Sequence, residues 1–356
     1  MPKPEIRAEL LVETEFPEWN RLVTDSPNGS VYARPEYLDA LCTAGGGQYR
    51  ILAVRQGDTM LGGIGLYERD TRMGRLISPR LLLYYNGPVV GQHDGKYPSE
   101  QTARTIKILA TLEAALRGRS YGSMVLKPRP GLLDLRAFIA AGWQAHPGFT
   151  YVVGISDLTK TRSLIEQNLR RLIDRCGHEG FTVTADDDFG GFFQLHSGTM
   201  QRVGSQVYLP ESAFRSYYEA LAHQGLIQLF HARRPSGEVI ASQLVLLGHS
   251  VTHTVVAGAD PEYLKSGVTA FLRWNVFARL AALGHTANDL TDASLNPVTH
   301  FKSQLGGALE PWLEVHSPQS ARFRLGLRTA GVVAQSRRLA GTVVRRVMKG
   351  RGGTDE

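Results

Sequence analysis

Residues 226–247 read Leu-Ile-Gln-Leu-Phe-His-Ala-Arg-Arg-Pro-Ser-Gly-Glu-Val-Ile-Ala-Ser-Gln-Leu-Val-Leu-Leu. An apolar run to Arg233, a Pro-Ser-Gly turn and a second apolar run to Leu247 predict an antiparallel hairpin. A helical pattern over Glu211–His223 precedes it, and Val207-Tyr208 with Pro210 stands before that helix. The same order occurs earlier in the chain. Residues 49–67, Tyr-Arg-Ile-Leu-Ala-Val-Arg-Gln-Gly-Asp-Thr-Met-Leu-Gly-Gly-Ile-Gly-Leu-Tyr, repeat the strand–turn–strand pattern behind Val31-Tyr32, Pro35 and a helical run to Leu41. The landmarks match at a spacing of about 176 to 179 residues. A chain of 356 residues is long enough for two domains, so the repeat predicts two copies of one unit in tandem.

The flanks agree. Phe16, Trp19 and Leu22 in the first half and Phe189, Phe192 and Leu195 in the second share helical spacing. Gln101–Arg117 reads as an amphipathic helix, Ser250–Ala257 as a β-branched strand and Gly267–Leu283 as a helix. Asn288–Thr291 predicts a short strand, Pro297–Leu305 a short helix and Leu309–His316 a final strand. Arg162–Gly177 reads as one linking helix. The expected class is α/β with mixed sheets, with domains at 1–150 and 151–319 and a tail at 320–356.

The net charge of +7 is unevenly placed. From Ser320 onward nine Lys/Arg face only Asp355 and Glu356, so the tail carries the whole excess and the body is neutral. On a helical wheel Val332, Val333, Leu339, Ala340, Val343, Val344, Val347 and Met348 share one side, with Arg338, Arg345, Arg346 and Lys349 opposite and Arg337 an exception near the edge. A basic amphipathic helix of this kind predicts contact with an anionic membrane surface through residues 320–351, or with nucleic acid. Residues 1–11 include Lys3, Glu5, Arg7 and Glu9 and lack the apolar core of an export signal. No apolar run approaches bilayer length. The expected location is cytoplasmic, at most peripheral on the inner membrane face. Cys42 and Cys176 stand alone, and the eleven histidines show no metal-ligand spacing, so no metal is expected.

Four segments resemble the Fem family of peptidoglycan-bridge aminoacyltransferases and their wider GNAT-type acetyltransferase relatives. They are Ser30-Val-Tyr32 with Glu36-Tyr37-Leu, then Tyr85-Asn-Gly-Pro-Val-Val90, then Leu195-His-Ser-Gly-Thr-Met-Gln-Arg-Val-Gly204, and finally His300-Phe-Lys-Ser-Gln-Leu-Gly306. The last is similar to the family's late Phe-Lys signature and is the most specific. The resemblance spans roughly residues 15 to 316. Tyr37 stands where many members have Trp, and the long helical arm of some tRNA-using members is not visible. The resemblance implies two GNAT-like domains and transfer of an acyl or aminoacyl group to an amine. The implied donor is aminoacyl-tRNA, with acyl-CoA as the alternative, and no cofactor is held tightly. The implied acceptor bears an amine, as a lipid-linked peptidoglycan-type precursor does.

Acyl transfer needs a polarised carbonyl, an unprotonated amine and a held carrier. By the resemblance, Lys302 beside Phe301 lies near the donor carbonyl, where its charge would stabilise the oxyanion or the leaving carrier hydroxyl. Arg202 matches a phosphate-binding arginine on the acceptor side and is equally suited to close its own helix dipole. Tyr208 and His253 are placed to line the acceptor channel. Lys265, Ser266 and Gly267 follow a strand and open a helix, where free N–H groups would receive a carrier phosphate, or where Ser266 simply caps. Asp289 and Asp292 follow the next strand and suit either a base or a turn.

Overall fold

The computed structural model describes residues 4–80 and 82–326. The first half runs β1 (Ile6–Leu10), α1 (Phe16–Asp25), α2 (Pro35–Gly45), β2 (Gln48–Gln56), β3 (Thr59–Thr71), β4 (Gly74–Ile77), β5 (Val89–Val90), α3 (Pro98–Arg117), β6 (Tyr121–Leu126), α4 (Arg136–Ala140) and β7 (Gln144–Gly154). Two helices, α5 (Leu158–Leu164) and α6 (Gln167–His178), lead into the second half. It continues with β8 (Thr182–Ala185), α7 (Phe189–Arg202), α8 (Glu211–His223), β9 (Ile227–Arg233), β10 (Val239–Leu246), β11 (Val251–Ala259), α9 (Val268–Ala282), β12 (Ala287–Asp289), α10 (Pro297–Ser303) and β13 (Ala308–His316).

The strand order makes the repeat explicit. One mixed sheet reads β1-β2-β3-β4-β6-β13-β7-β12-β11-β10-β9-β8, with β5 paired to β3. Read inward from its two edges, the order is the same. In each half an antiparallel meander ends in a parallel pair, β4 with β6 and β11 with β12, and a long helix makes each crossover, as parallel pairing requires. The two final strands are exchanged. β7 of the first half pairs with β12 of the second, and β13 of the second pairs with β6 of the first. Each half is therefore completed by a strand from the other, and residue 150 lies within β7.

Three apolar cores follow from this layout. One lies under α3 around Leu109, Leu112 and Phe138. A second lies between α6, α9 and the second half of the sheet, around Ile173, Phe230 and Phe277. The third is shared, with α1 and α2 facing α7 and α8. There Tyr37 and Tyr217 are fully buried, their hydroxyls 3.2 Å apart, and Tyr37 donates to the Leu82 carbonyl at 2.8 Å. Each ring buried at this seam contributes about 1.5–3 kcal/mol. At Gly258 a Cβ would stand 2.6 Å from the His196 backbone nitrogen, so the bare backbone is what lets α7 lie directly on β11.

The expected helix over Arg162–Gly177 is two helices. Ile165 is extended, with ψ 136°, and Glu166 is tied to Gln304 through both backbone and side chain, so the chain turns between α5 and α6. Of the amphipathic tail only residues 320–326 fall among those described, with 321–326 helical; the expected basic amphipathic helix beyond them lies outside the described residues. Among the described residues no helix is long and apolar enough to cross a membrane.

His196 in α7 carries a testable consequence of this packing. It is buried, stacked on Phe192 and Tyr208, and neither ring nitrogen has a partner. Burial alone pushes its pKa down to about 4. The unfolded chain takes up a proton near the ordinary 6.5, so the folded state loses stability progressively as pH falls from 6.5 to 4. Thermal melts over that range should show on the order of 3 kcal/mol less of this loss in His196→Phe. An unchanged pH slope in the variant would refute the assignment.

Candidate active site at the seam

The parallel pair β11–β12 is short. Its register is Val251 to Ala287, Thr252 to Asn288 and His253 to Asp289, and there it ends while β11 continues to Ala259. The strands part because Thr291 and Asp292 adopt left-handed backbone conformations, with φ of 48° and 62°. For a β-branched threonine this costs on the order of 1–3 kcal/mol. Parallel strands that diverge at their carboxyl ends leave a notch, the usual ligand position in α/β sheets.

Asp289 anchors the floor of this notch. It is 1% exposed and accepts from Thr150 Oγ1 at 2.5 Å, Tyr85 Oη at 2.8 Å and the Thr291 backbone N–H at 2.8 Å. His253 Nδ1 stands 3.4 Å from the same carboxylate. Burial alone would raise the carboxyl pKa, but the adjacent His253 and the hydrogen bonds from Thr150 and Tyr85 hold it below the usual value. Burial likewise lowers His253 despite Asp289, which keeps the imidazole neutral near pH 7. Tyr32 stacks edge-on against His253 with ring centroids 4.9 Å apart, its own hydroxyl buried without a partner. Tyr85 and Tyr32 come from the first half, Thr150 from the exchanged strand β7, and His253 and Asp289 from the second. The site exists only where the halves meet.

Lys302 closes the notch from above. Asn296 caps α10 by accepting from Thr299 N at 3.0 Å, which fixes this seven-residue helix and carries Lys302 on its last turn. Its ammonium donates to the carbonyls of Thr291 and Asp292, the second at 2.9 Å. That interaction holds the strained pair in place and leaves one of three N–H groups unused. Burial and the charge of Arg273 bring the Lys302 pKa down to about 8. Phe301 packs against the second-half core. Tyr84, half-buried beside Tyr208, donates to the Val255 carbonyl at 3.1 Å.

Further cations converge here. Lys127 sits 4.0 Å over the Trp312 ring and 5.3 Å over Tyr85. Arg129 donates to the Pro27 carbonyl at 2.6 Å and has a buried, unpartnered Nε. Among the described residues, no carboxylate lies within 4.0 Å of Lys127, Arg129, Arg273 or Lys302. Glu310, whose carboxyl pKa is raised by burial, and Glu314, whose charge acts on Lys127, stand on the acid side.

The sequence-derived candidates thus separate into groups. Lys302, Phe301, His253 and Tyr208 gather at the notch, and Asp289 joins them as a buried anchor rather than a loop cap. Asp292 serves the turn, its carboxylate accepting from Ser294 N and Oγ. Arg202 is exposed at the end of α7, bonded to Thr199 Oγ1 at 3.4 Å, and lines a separate cavity of about 410 Å³ with Gln201, Asp260 and Pro261. At the start of α9, Lys265 is exposed, but Ser266 Oγ accepts from Val268 N and donates to the Tyr263 carbonyl. Gly267, at φ 93°, faces Leu172 of α6, which a Cβ would meet at 2.4 Å. Leu172 thus occupies the Cβ side of Gly267, and Ser266 Oγ takes the Val268 N–H. Sequence reasoning passed over Tyr84, Lys127, Arg129, Thr150 and Arg273. Of these, only Arg273, a cation inside an apolar helical run, left a signal along the chain.

Comparison with known proteins agrees with this architecture. Residues 159–303 match the family model described as an acetyltransferase (GNAT) domain, so the second half carries an acyltransferase domain of the GNAT type. No curated protein matches the chain. Among solved structures, FemX superposes with a TM-score of 0.69 at 13% identity, covering 86% of this chain and 96% of its own. L-PGS from Bacillus licheniformis gives 0.53 at 14% identity, over 84% and 96%. A tandem GNAT protein from the clavulanic acid biosynthesis pathway gives 0.53 at 11% identity, over 89% and 100%. At these identities the likeness is one of fold, and it makes the chain a pair of GNAT-like domains in tandem.

Proposed function

We propose that this chain transfers an acyl or aminoacyl group to an amine at the seam between its halves, with aminoacyl-tRNA as donor and a peptidoglycan-type precursor or peptide as acceptor. The observation that carries the reading is Lys302, whose ammonium is fixed over a notch built by both halves with one N–H unspent. The amine attacks the acyl carbonyl carbon, the ester bond to the carrier oxygen breaks, and the proton lost by the amine ends on the departing hydroxyl. The step therefore needs no outside reactant. What it requires is two positioned partners and a cation near the developing charge. Buried Asp289 is committed to four partners and acts by holding His253, Tyr85 and the Thr291 turn.

Acyl-CoA is the second reading, since the GNAT family model covers this half. At the start of α9, where a carrier phosphate would sit, Ser266 Oγ already takes the Val268 N–H, which supports the aminoacyl donor. The experiment is to incubate the purified full chain separately with aminoacyl-tRNA and with acyl-CoA, each with an amine acceptor, and to follow loss of the ester or thioester. Amine-dependent deacylation of the tRNA is expected. Turnover of acyl-CoA alone would reverse the choice of donor, and amine-independent hydrolysis of both would overturn transfer.

A further inference from the structure

The seam holds a further cavity, of about 440 Å³, at the other end of β11 from the notch. The end of α1 with Ser30, Val31 and Arg34 forms its first-half wall. The segment after α8, the β10–β11 turn and the segment after α9 form the second-half wall. The volume falls within the roughly 300–1,000 Å³ of small-molecule sites. Among the described residues that line it there is no Asp or Glu, and no Phe, Tyr or Trp.

Its charges are balanced. Arg34 spends Nε and Nη2 on the Glu36 carboxylate, each at 3.2 Å. The negative ends of α8 and α9 point here, but the N–H groups of Gly225 and Leu226 close the first and those of Gly284 and His285 the second. The Ser26 N–H closes α1 in the same way on the Leu22 carbonyl. His285 Nδ1 donates to the His249 carbonyl at 3.2 Å, so Nε2 carries the lone pair, and burial keeps the ring uncharged at pH 7. An ion entering from water would find no opposite charge to replace its hydration, and a flat aromatic ligand would find no ring to stack on. What the cavity offers instead is groups that both donate and accept. The side chains of Thr24, Gln224 and Ser250 and the His249 ring make no hydrogen bond among the described residues, and hydroxyls and amides work in both directions. Val31, Leu226 and Val251 set an aliphatic surface among them. A carbon skeleton studded with hydroxyls presents the matching alternation.

We propose that this cavity is a second ligand site, which binds an uncharged, hydroxyl-rich small molecule, a saccharide or a cyclic polyol, between the two halves. Because both halves supply its walls, the occupant links them. The site lies apart from the notch and does not rest on the transfer reading above.

The test is binding to the full chain, followed by saturation-transfer NMR. The neutral probes are N-acetylglucosamine, maltose and myo-inositol, and their charged counterparts are glucose 6-phosphate and glucosamine. At least one neutral probe should bind wild type saturably, with a Kd of about 1 mM or tighter, and more tightly than either charged one. Ser250→Trp, at an exposed turn position, fills the cavity and should abolish that binding. Gln224→Ala, also exposed, removes one partner and should weaken it about 3- to 10-fold. The second variant keeps the test decisive should the first fail to fold.

Absence of saturable binding for all three neutral probes overturns the site, as does equal binding in wild type and both variants. Tighter binding of glucose 6-phosphate or of glucosamine overturns the uncharged class. Failure of transfer from every donor strikes the proposed function and leaves this binding result standing, so the two readings fail separately.

Discussion

Replacing Lys302 with alanine should lower the transfer rate by about 10²–10³-fold while leaving acceptor affinity within about threefold. That is the loss seen when one fixed donor to a developing oxyanion is removed, because its interaction is made in the transition state and not before. The lysine also supports the left-handed Thr291–Asp292 turn through two carbonyls, so a purely structural role has to be separated from a chemical one. Lys302→Met keeps the length of the side chain and loses the charge. Both variants should lose rate together, with circular dichroism and melting temperature close to wild type. A Lys302→Met protein that retains full rate would show that the ammonium takes no part in transfer.

Asp289→Ala should remove about 3–5 kcal/mol from folding stability, measured by urea unfolding, the usual effect of taking one partner from a buried charged network. The change strands Thr150, Tyr85, His253 and the Thr291 N–H at once, all of them buried. Asp289→Asn keeps the shape and part of the bonding and should lose about 1–3 kcal/mol. The sign with pH follows from the direction of the shift. The carboxyl is held below its ordinary value, so its stabilisation is present above the unfolded value and is lost as pH falls through the folded one. The acid limb of the melting curve should therefore be shallower in Asp289→Asn than in wild type. Because Tyr85 and Thr150 come from the first half and the exchanged strand, the halves should also come apart more readily to proteolysis. An Asp289→Ala protein as stable as wild type would remove the buried network from the account.

The hairpins at 49–67 and 226–247 were legible because each alternates or runs apolar between turn residues, which is a local property. Their spacing was enough to read two copies in tandem, and the helix at Glu211–His223 matches α8 residue for residue. The exchange of β7 and β13 was not legible, since both strands pair over long separations and nothing local states which half they complete. The linking segment was misread for a related reason. Helical periodicity continues across Ile165, and only the tertiary tie from Glu166 to Gln304 breaks it. At the site, Lys302 and His253 stood out by motif and position. Thr150 and Tyr84 carry no chemistry on their own and matter only through what the fold sets beside them. Gly267 shows the converse: its conformation is the one a helix entry needs, at φ 93°, but the space over it belongs to Leu172.

Transfer at the seam depends on a charged Lys302, and the pH dependence of single-turnover transfer tests that most directly. Lys302 titrates at about 8 in the folded protein, so it is charged below that pH and neutral above it. Deprotonation of an acceptor amine makes the rate rise with pH, and a fall that comes from the donor's own α-ammonium would appear equally in Lys302→Arg. The wild-type rate should turn downward as pH passes about 8, and Lys302→Arg, which stays charged throughout, should show no such descending limb. A wild-type rate that climbs without a break from pH 7 to about 9.5, or an identical limb in Lys302→Arg, would contradict it.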